Sequence, residues 1–268
     1  MKITSGALMA RRGINFLRDK VRNFMVYMGG LTILFFQTVF WIFAPRARKR
    51  QVLEQMNFIG VASFSIVVLI SFFTGMVLAL QSAYQMQKMS AEMYIASLVA
   101  LSLTRELGPV LTGLIVAGRC GAAISAELGT MRVTEQVDAL ETMSVNPVHY
   151  LVVPRFLAMV IVVPMLTIFA DFFGILGGYV IGVGRLNITS SMYIKMTWDP
   201  LSVKDVTTGL IKSISFAMII CLISCFEGLN AEEGAEGVGK ATTSSVVRSF
   251  ILIIIADCFF TALFYFIM

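Results

Sequence analysis

Five stretches of this chain run for about twenty mostly apolar residues or more, at residues 58–80, 96–126, 156–183, 210–226 and 246–267. A helix rises 1.5 Å per residue, so about 20 residues cross the roughly 30 Å hydrocarbon core of a bilayer. In lipid, each backbone N–H and C=O must be bonded within its own segment, which makes each stretch a helix. The expected fold class is therefore an all-α integral membrane protein. Composition agrees: 57% of the residues are apolar and 14% charged, against about a quarter charged in ordinary soluble domains. Disorder, a collagen-like structure and a disulfide scaffold are excluded.

A sixth apolar stretch, 25–44, is basic on both flanks. Arg18, Lys20 and Arg22 precede it; Arg46, Arg48, Lys49 and Arg50 follow. Basic residues are retained on the cytoplasmic side, so a crossing here puts one cluster on the wrong face. The expectation is a helix lying in the cytoplasmic leaflet, with no small-residue cleavage site after it to mark a signal peptide. Residues 1–52 then form a basic region with an interfacial helix, and 53–268 form the membrane domain. Five crossings from a cytoplasmic N-terminus leave Met268 on the far side. Arg132, Arg155, Lys240 and Arg248 fall inside, and the sparser set Lys88, Arg185, Lys195 and Lys204 falls outside. The net charge of +5 thus points to membrane topology rather than nucleic acid.

The residues offer little for catalysis. His149 is the only histidine, so there is no Ser-His-Asp or Cys-His set and no His-containing metal spacing. Cys120, Cys221, Cys225 and Cys258 sit in apolar stretches and read as small hydrophobes. Gly234-Ala-Glu-Gly-Val-Gly239-Lys240-Ala241 nearly spells a phosphate-binding loop. That loop must follow a strand and carry Ser or Thr directly after the Lys, whereas here a membrane helix precedes and Ala241 follows. The segment reads as a flexible cytoplasmic loop, and any nucleotide hydrolysis belongs to a partner chain.

Polar residues inside the spans say more. Arg105 and Glu106 interrupt the second span, just before Gly108 and Pro109. A charge at membrane depth costs several kcal/mol and faces the bundle interior or a wet cavity. Pro109 also removes the bond to the Arg105 carbonyl, loosening the helix beside the charges. A structural ion pair and a substrate cavity are both open readings. Lys212, at a similar depth in the fourth span, either helps attract an anionic head group or snorkels to the interface. Asp171 and Asp257 read as polar contacts between helices. Stripes of small residues, Ala117 to Gly129 and Gly174 to Gly184, let helices approach closely.

Between the second and third spans, residues 134–143 have helical spacing. Val133, Val137 and Leu140 share one face with Met143 or Ser144, while Glu135, Asp138, Glu141 and Thr142 lie mostly opposite, and Asn146-Pro147 ends the run. This is a short amphipathic helix, either a knob for a cytoplasmic partner or a helix resting on the bilayer.

Several motifs occur in order: Leu101-Ser-Leu-Thr-Arg-Glu-Leu-Gly-Pro-Val110, Ala117-Gly-Arg119, Ser125-Ala-Glu-Leu-Gly129, Met131-Arg-Val-Thr-Glu-Gln136, Val153-Pro-Arg-Phe156 and Lys240-Ala-Thr-Thr243. Together they resemble the MlaE/YrbE family of permeases, membrane subunits of ABC transporters that work with MCE proteins. The likeness runs from about Asn57 to the C-terminus, so 53–268 resembles an MlaE-type permease domain. It implies a homodimer in the inner membrane of a double-membraned bacterium, a cytoplasmic ABC ATPase that holds the ATP and magnesium, and a periplasmic MCE-domain protein. The implied cargo is phospholipid, moved between inner and outer membranes. By the same resemblance, Leu78, Leu80, Arg105 and Glu106 lie by a lipid cavity between protomers; Lys212 is added as a further cation from its depth alone. Residues 132–144 become the coupling helix on the ATPase, which places Arg132, Glu135, Asp138, Ala139, Glu141 and Met143 there. Asp138-Ala139-Leu140, with Ser144 at a Gly position, loosely echoes the coupling loop of other ABC permeases. The rival readings are an ion-coupled secondary transporter, which needs a relay of ionisable groups and often an inverted repeat, and a purely structural scaffold.

Overall fold

In the computed structural model, which describes residues 3–42, 49–88 and 91–267, eight helical elements follow one another, with no strand among the described residues. They are α1 (Ile3–Ile42), α2 (Lys49–Gln87), α3 (Glu92–Val133), α4 (Gln136–Thr142), α5 (Val148–Gly184), α6 (Ser190–Trp198), α7 (Val203–Leu229) and α8 (Gly234–Ile267). Arg46, Arg48, Met268 and the 43–44 end of the first apolar stretch lie outside the described residues.

Six helices are long and apolar enough to cross a membrane: the five expected spans and the Met25–Ile42 part of α1. Each of the five extends well beyond its apolar run. Hydropathy detects only the part in hydrocarbon, while helical hydrogen bonding continues through the polar flanks. The α1 helix leans on the bundle along one side. Leu31, Leu34 and Thr38 are buried, Tyr27 meets Phe226 edge-on at 5.1 Å, and Trp41 lies 5.1 Å from the His149 ring.

The core is built around α7. Its Phe216, Ile220, Cys221 and Cys225 pack on Cys120 and Ile124 of α3 and on Met159 and Val163 of α5. A smaller cluster joins Ala79 and Ala83 of α2 to Ile95, Val99 and Leu103 of α3. The tightest approach is between α2 and α5. A Cβ on Gly75 would stand 1.8 Å from the Gly174 carbonyl oxygen, and one on Gly177 would stand 2.1 Å from that of Phe72. Lipid supplies no hydrophobic drive between helices, so backbone-to-backbone contact of this kind holds them. The small-residue stripes thus serve packing within the chain: Gly121 sits against Ile220 and Ser224, and Gly129 against Ala231 and Val238.

Regular α-helix gives way to π-helix at residues 103–107, 117–121 and 148–152. The first lies directly before Gly108-Pro109, where the Gly108 N–H bonds to the Leu103 carbonyl five residues back. Proline cannot donate the next bond in the ladder, and the wider turn absorbs the break.

The Gly- and Glu-rich segment 234–242 is not a loop, contrary to expectation. It is the first part of α8, which starts at Gly234 with φ +84° and runs unbroken to Ile267. Bonds four residues back, such as Thr242 Oγ1 to the Val238 carbonyl, and the Lys240–Glu236 pair at 3.1 Å hold the glycines in helix.

Candidate functional site

The π-helical turn in α3 presents Arg105 and Glu106 to a cavity of about 290 Å³ closed by α7 and α8. Lys212 of α7 is its centre. The Lys212 ammonium donates to Glu106 Oε2 at 2.6 Å, Asp257 Oδ1 at 2.9 Å and Thr261 Oγ1 at 2.8 Å. Its side chain is 2% exposed, so it does not snorkel. All three ammonium protons are used, as burial of a charge in an apolar bundle requires. Asp257 therefore makes the interhelical contact expected of it.

Arg105 is tied differently. Its guanidinium donates to Asp205 Oδ1, with Nε at 2.7 Å and the terminal nitrogen at 2.6 Å. Asp205 is fixed at the start of α7 by a capping box: its Oδ2 accepts from the backbone N–H and the hydroxyl of Ser202, at 2.9 and 2.8 Å. This arrangement satisfies helix-end donors and aims the carboxylate at Arg105. The Arg105 side chain remains 54% exposed, whereas Asp205 is 3% exposed. Two cations and two carboxylates thus line the cavity, with Asp257 behind Lys212. Lys212 is fully occupied, and Arg105 is the cation with a face still open.

Sequence reasoning named Arg105, Glu106 and Lys212, and the structure brings them together. It missed Asp205, Thr208 and Thr261, which also line the cavity. The Ser202-Val-Lys-Asp205 spacing was a legible signal for Asp205; a lone threonine such as Thr261 carried none. Leu78 and Leu80 do not line this cavity. Leu78 packs on the Ala79–Leu103 cluster and Leu80 is half exposed, because α2 turns its inner face to α5. Asp171 makes no interhelical contact of the kind expected: its Oδ1 is buried with no hydrogen-bond partner.

At the opposite end of the bundle, the expected helix over 132–144 is shorter. The α3 helix runs to Val133, Glu135 takes a left-handed φ of 58°, and α4 covers only Gln136–Thr142. Val137 and Leu140 face the core, and an Arg132–Asp138 ion pair staples the turn. Glu135, Ala139 and Glu141 are exposed. Of Met143 and Ser144, one of which was expected to share the apolar face, Met143 is 65% exposed and Ser144 is exposed too, because both lie past the last helical turn, with Ser144 at φ 59°. Below α4, Arg155 pairs with Glu127 at 2.8 Å and Arg248 pairs with Glu227, tying α3, α5, α7 and α8 at this end.

Six helices long and apolar enough to cross a membrane, packed around a charged and partly open cavity, fit a multi-pass membrane protein. The family described as "Permease MlaE" matches residues 52–263. A probable ABC transporter permease protein of Rickettsia felis is 46% identical over 251 residues, 94% of this chain and 97% of its own length. A second, from Rickettsia prowazekii, is 48% identical over 243 residues, 91% of this chain and 94% of its own length. The intermembrane phospholipid transport system permease protein MlaE of Haemophilus influenzae is 37% identical over 253 residues, 90% of this chain and 97% of its own length. The chain belongs to the MlaE family of ABC transporter permeases.

Proposed function

We propose that this chain is the membrane subunit of a transporter that moves phospholipid between the inner and outer membranes of a bacterium. It works as a homodimer with a cytoplasmic ABC ATPase, which carries the ATP and magnesium, and with a periplasmic MCE-domain protein. The Haemophilus relative, named for phospholipid transport, supports the cargo. The observation that carries the reading is the cavity around Arg105. Charge at membrane depth is confined to bundle interiors or wet cavities, yet Arg105 and Glu106 are open at the surface of a single chain. A second copy packed beside α8 closes that opening and leaves a lipid-sized space with an apolar wall between the protomers; Leu78 and Leu80, off the single-chain cavity, belong to that space only on the family resemblance. Arg105 is the group that meets the lipid phosphate; Lys212 holds the helices that form the wall.

In this reading α1 lies along the cytoplasmic leaflet, five spans follow, and the C-terminus is periplasmic. The α4 end faces the cytoplasm, where Arg132, Glu135, Asp138, Ala139, Glu141 and Met143 dock the ATPase. Closure of the ATPases on ATP moves α4 and, through the Arg132–Asp138 pair, the end of α3, with α5 following where the chain continues from α4. The cavity between protomers then narrows and expels its lipid. The experiment is purification from native membranes, identification of bound proteins and lipids by mass spectrometry, and measurement of ATP-dependent lipid transfer between vesicles. Phospholipid and an ATPase must copurify, and transfer must stop without ATP. A monomer that moves solutes down an ion gradient with no ATPase overturns the proposal.

A further inference from the structure

The second π-helical turn of α3, residues 117–121, carries Arg119 as the first carries Arg105. Its charge is balanced differently. Arg105, Lys212, Arg155 and Arg248 each hold a carboxylate, whereas Arg119 holds none among the described residues. Ionisable groups in spanning segments pair with one another or mark a place where something polar binds or passes. For Arg119, no described residue supplies the anion.

The guanidinium is nevertheless held in place. Its Nη1 donates to the Ser63 hydroxyl of α2 at 3.0 Å and to Cys120 Sγ at 3.4 Å, and Ser63 is fully buried. The Phe58 ring centre lies 5.7 Å from the guanidinium carbon, within range of a cation–π contact. Only Nη1 is engaged. Nε and Nη2 donate to no described residue, and neither is sealed from the surface, unlike the Nε of Arg155. Those two nitrogens form an edge with which arginine grips a carboxylate or phosphate as a fork. One side of Arg119 is thus tied down and the forked edge is open.

Depth narrows the choice of anion. Phe58 opens the apolar run of α2, and Arg119 lies about 10 Å before the end of that of α3, at 1.5 Å per residue. Its backbone is inside the hydrocarbon, while its charged end, beside Phe58, reaches the edge at the α4 end of the bundle. The phosphates of the lipid headgroups begin at that level. A second copy brings no spare acid there from its spans, because Glu127 and Glu227 are already held by Arg155 and Arg248. We propose that Arg119 binds the phosphate of a phospholipid in the leaflet at the α4 end, through Nε and Nη2, with Phe58 packed on the lipid below its headgroup. No carboxylate stands by to receive a headgroup ammonium, so the site prefers anionic phosphatidylglycerol to phosphatidylethanolamine. It lies about 20 Å along α3 from Arg105 and does not depend on what that cavity carries.

The full chain, purified in detergent and stripped of lipid, is titrated with phosphatidylglycerol, phosphatidylethanolamine and inorganic phosphate, and native mass spectrometry counts what stays bound. One phosphatidylglycerol per chain should bind roughly tenfold more weakly in Arg119→Gln than in the parent, the loss expected for one charge-assisted contact. Arg119→Lys keeps the charge without the fork and should fall between them; it decides the matter if the glutamine variant does not fold. Phosphatidylethanolamine should bind the parent several-fold more weakly than phosphatidylglycerol. The effect of Arg119→Gln should persist in an Arg105→Gln background, and an effect that vanishes there places the lipid at Arg105 and overturns the proposal. Equal binding of phosphatidylglycerol by the parent and both Arg119 variants also overturns it. So does inorganic phosphate held as tightly as the lipid. A dimer that comes apart in Arg119→Gln with lipid binding unchanged overturns it in favour of a contact between copies.

Discussion

Lys212 and Glu106, 106 residues apart in sequence, meet at 2.6 Å between α7 and α3. Because Asp257 and Thr261 of α8 share the same ammonium, one lysine joins three spanning helices. An ion pair at this depth is costly to assemble and costlier to break, since removing one partner strands the others. Lys212 is therefore a structural hub as well as part of the cavity.

The Lys212→Met variant should lose roughly 3 kcal/mol of stability, the low end of the range for a broken buried pair because Glu106 is partly open. Thermal unfolding of the purified chain in detergent measures it. Adding Glu106→Gln and Asp257→Asn should recover much of the loss; a triple variant no better than the single one rules out the hub.

Arg105→Glu should abolish ATP-dependent lipid transfer while the complex still assembles. The substitution removes the open cation and places a second acid against Asp205. Arg105→Lys keeps the charge but not the forked donor geometry, and should retain a reduced rate. Transfer at the parental rate in Arg105→Glu removes Arg105 from the cargo site.

At the far end of the bundle, Asp138→Arg should set two cations against each other beside α4 and lower lipid-stimulated ATP hydrolysis. Arg132→Asp should do the same with two acids. Combining them restores an opposite pair and should restore most coupling. If the double variant is as poor as the singles, the pair is not what matters there.

Gly75→Ala and Gly177→Ala should each cost roughly 1–3 kcal/mol, because the new methyl meets backbone rather than a movable side chain. Gly184→Ala, with nothing within 4 Å of its Cβ, is the control and should stay within about 0.5 kcal/mol. Thermal aggregation of all three in the same detergent gives the comparison.

The five long spans were legible because twenty apolar residues have few other folds open to them, and Pro109 announced a disturbed helix beside Arg105. Arg105, Glu106 and Lys212 stood out because charge is rare in such surroundings. Who pairs with whom was not legible: Asp205 and Asp257 look alike in sequence, and only the packing of α3 against α7 and α8 gives Arg105 to one and Lys212 to the other. The α8 start was misread because glycine-rich composition mimics a loop, whereas the segment is the first turns of one long helix, to which the Lys240–Glu236 pair one turn apart adds a little. The apolar face was extended one step too far, to Met143 or Ser144, both of which are exposed, because periodicity continues past the helix end that left-handed Ser144 imposes.

The widened turn at 103–107 has a genetic corollary. Deleting a single residue there would let the ladder close as ordinary α-helix, the flanking segments keeping nearly their register while the residues of the turn itself shift around the helix. The charged cavity leans on that short arc of backbone, so such a deletion would carry Arg105 and Glu106 away from Asp205 and Lys212 while the rest of the bundle stayed in place.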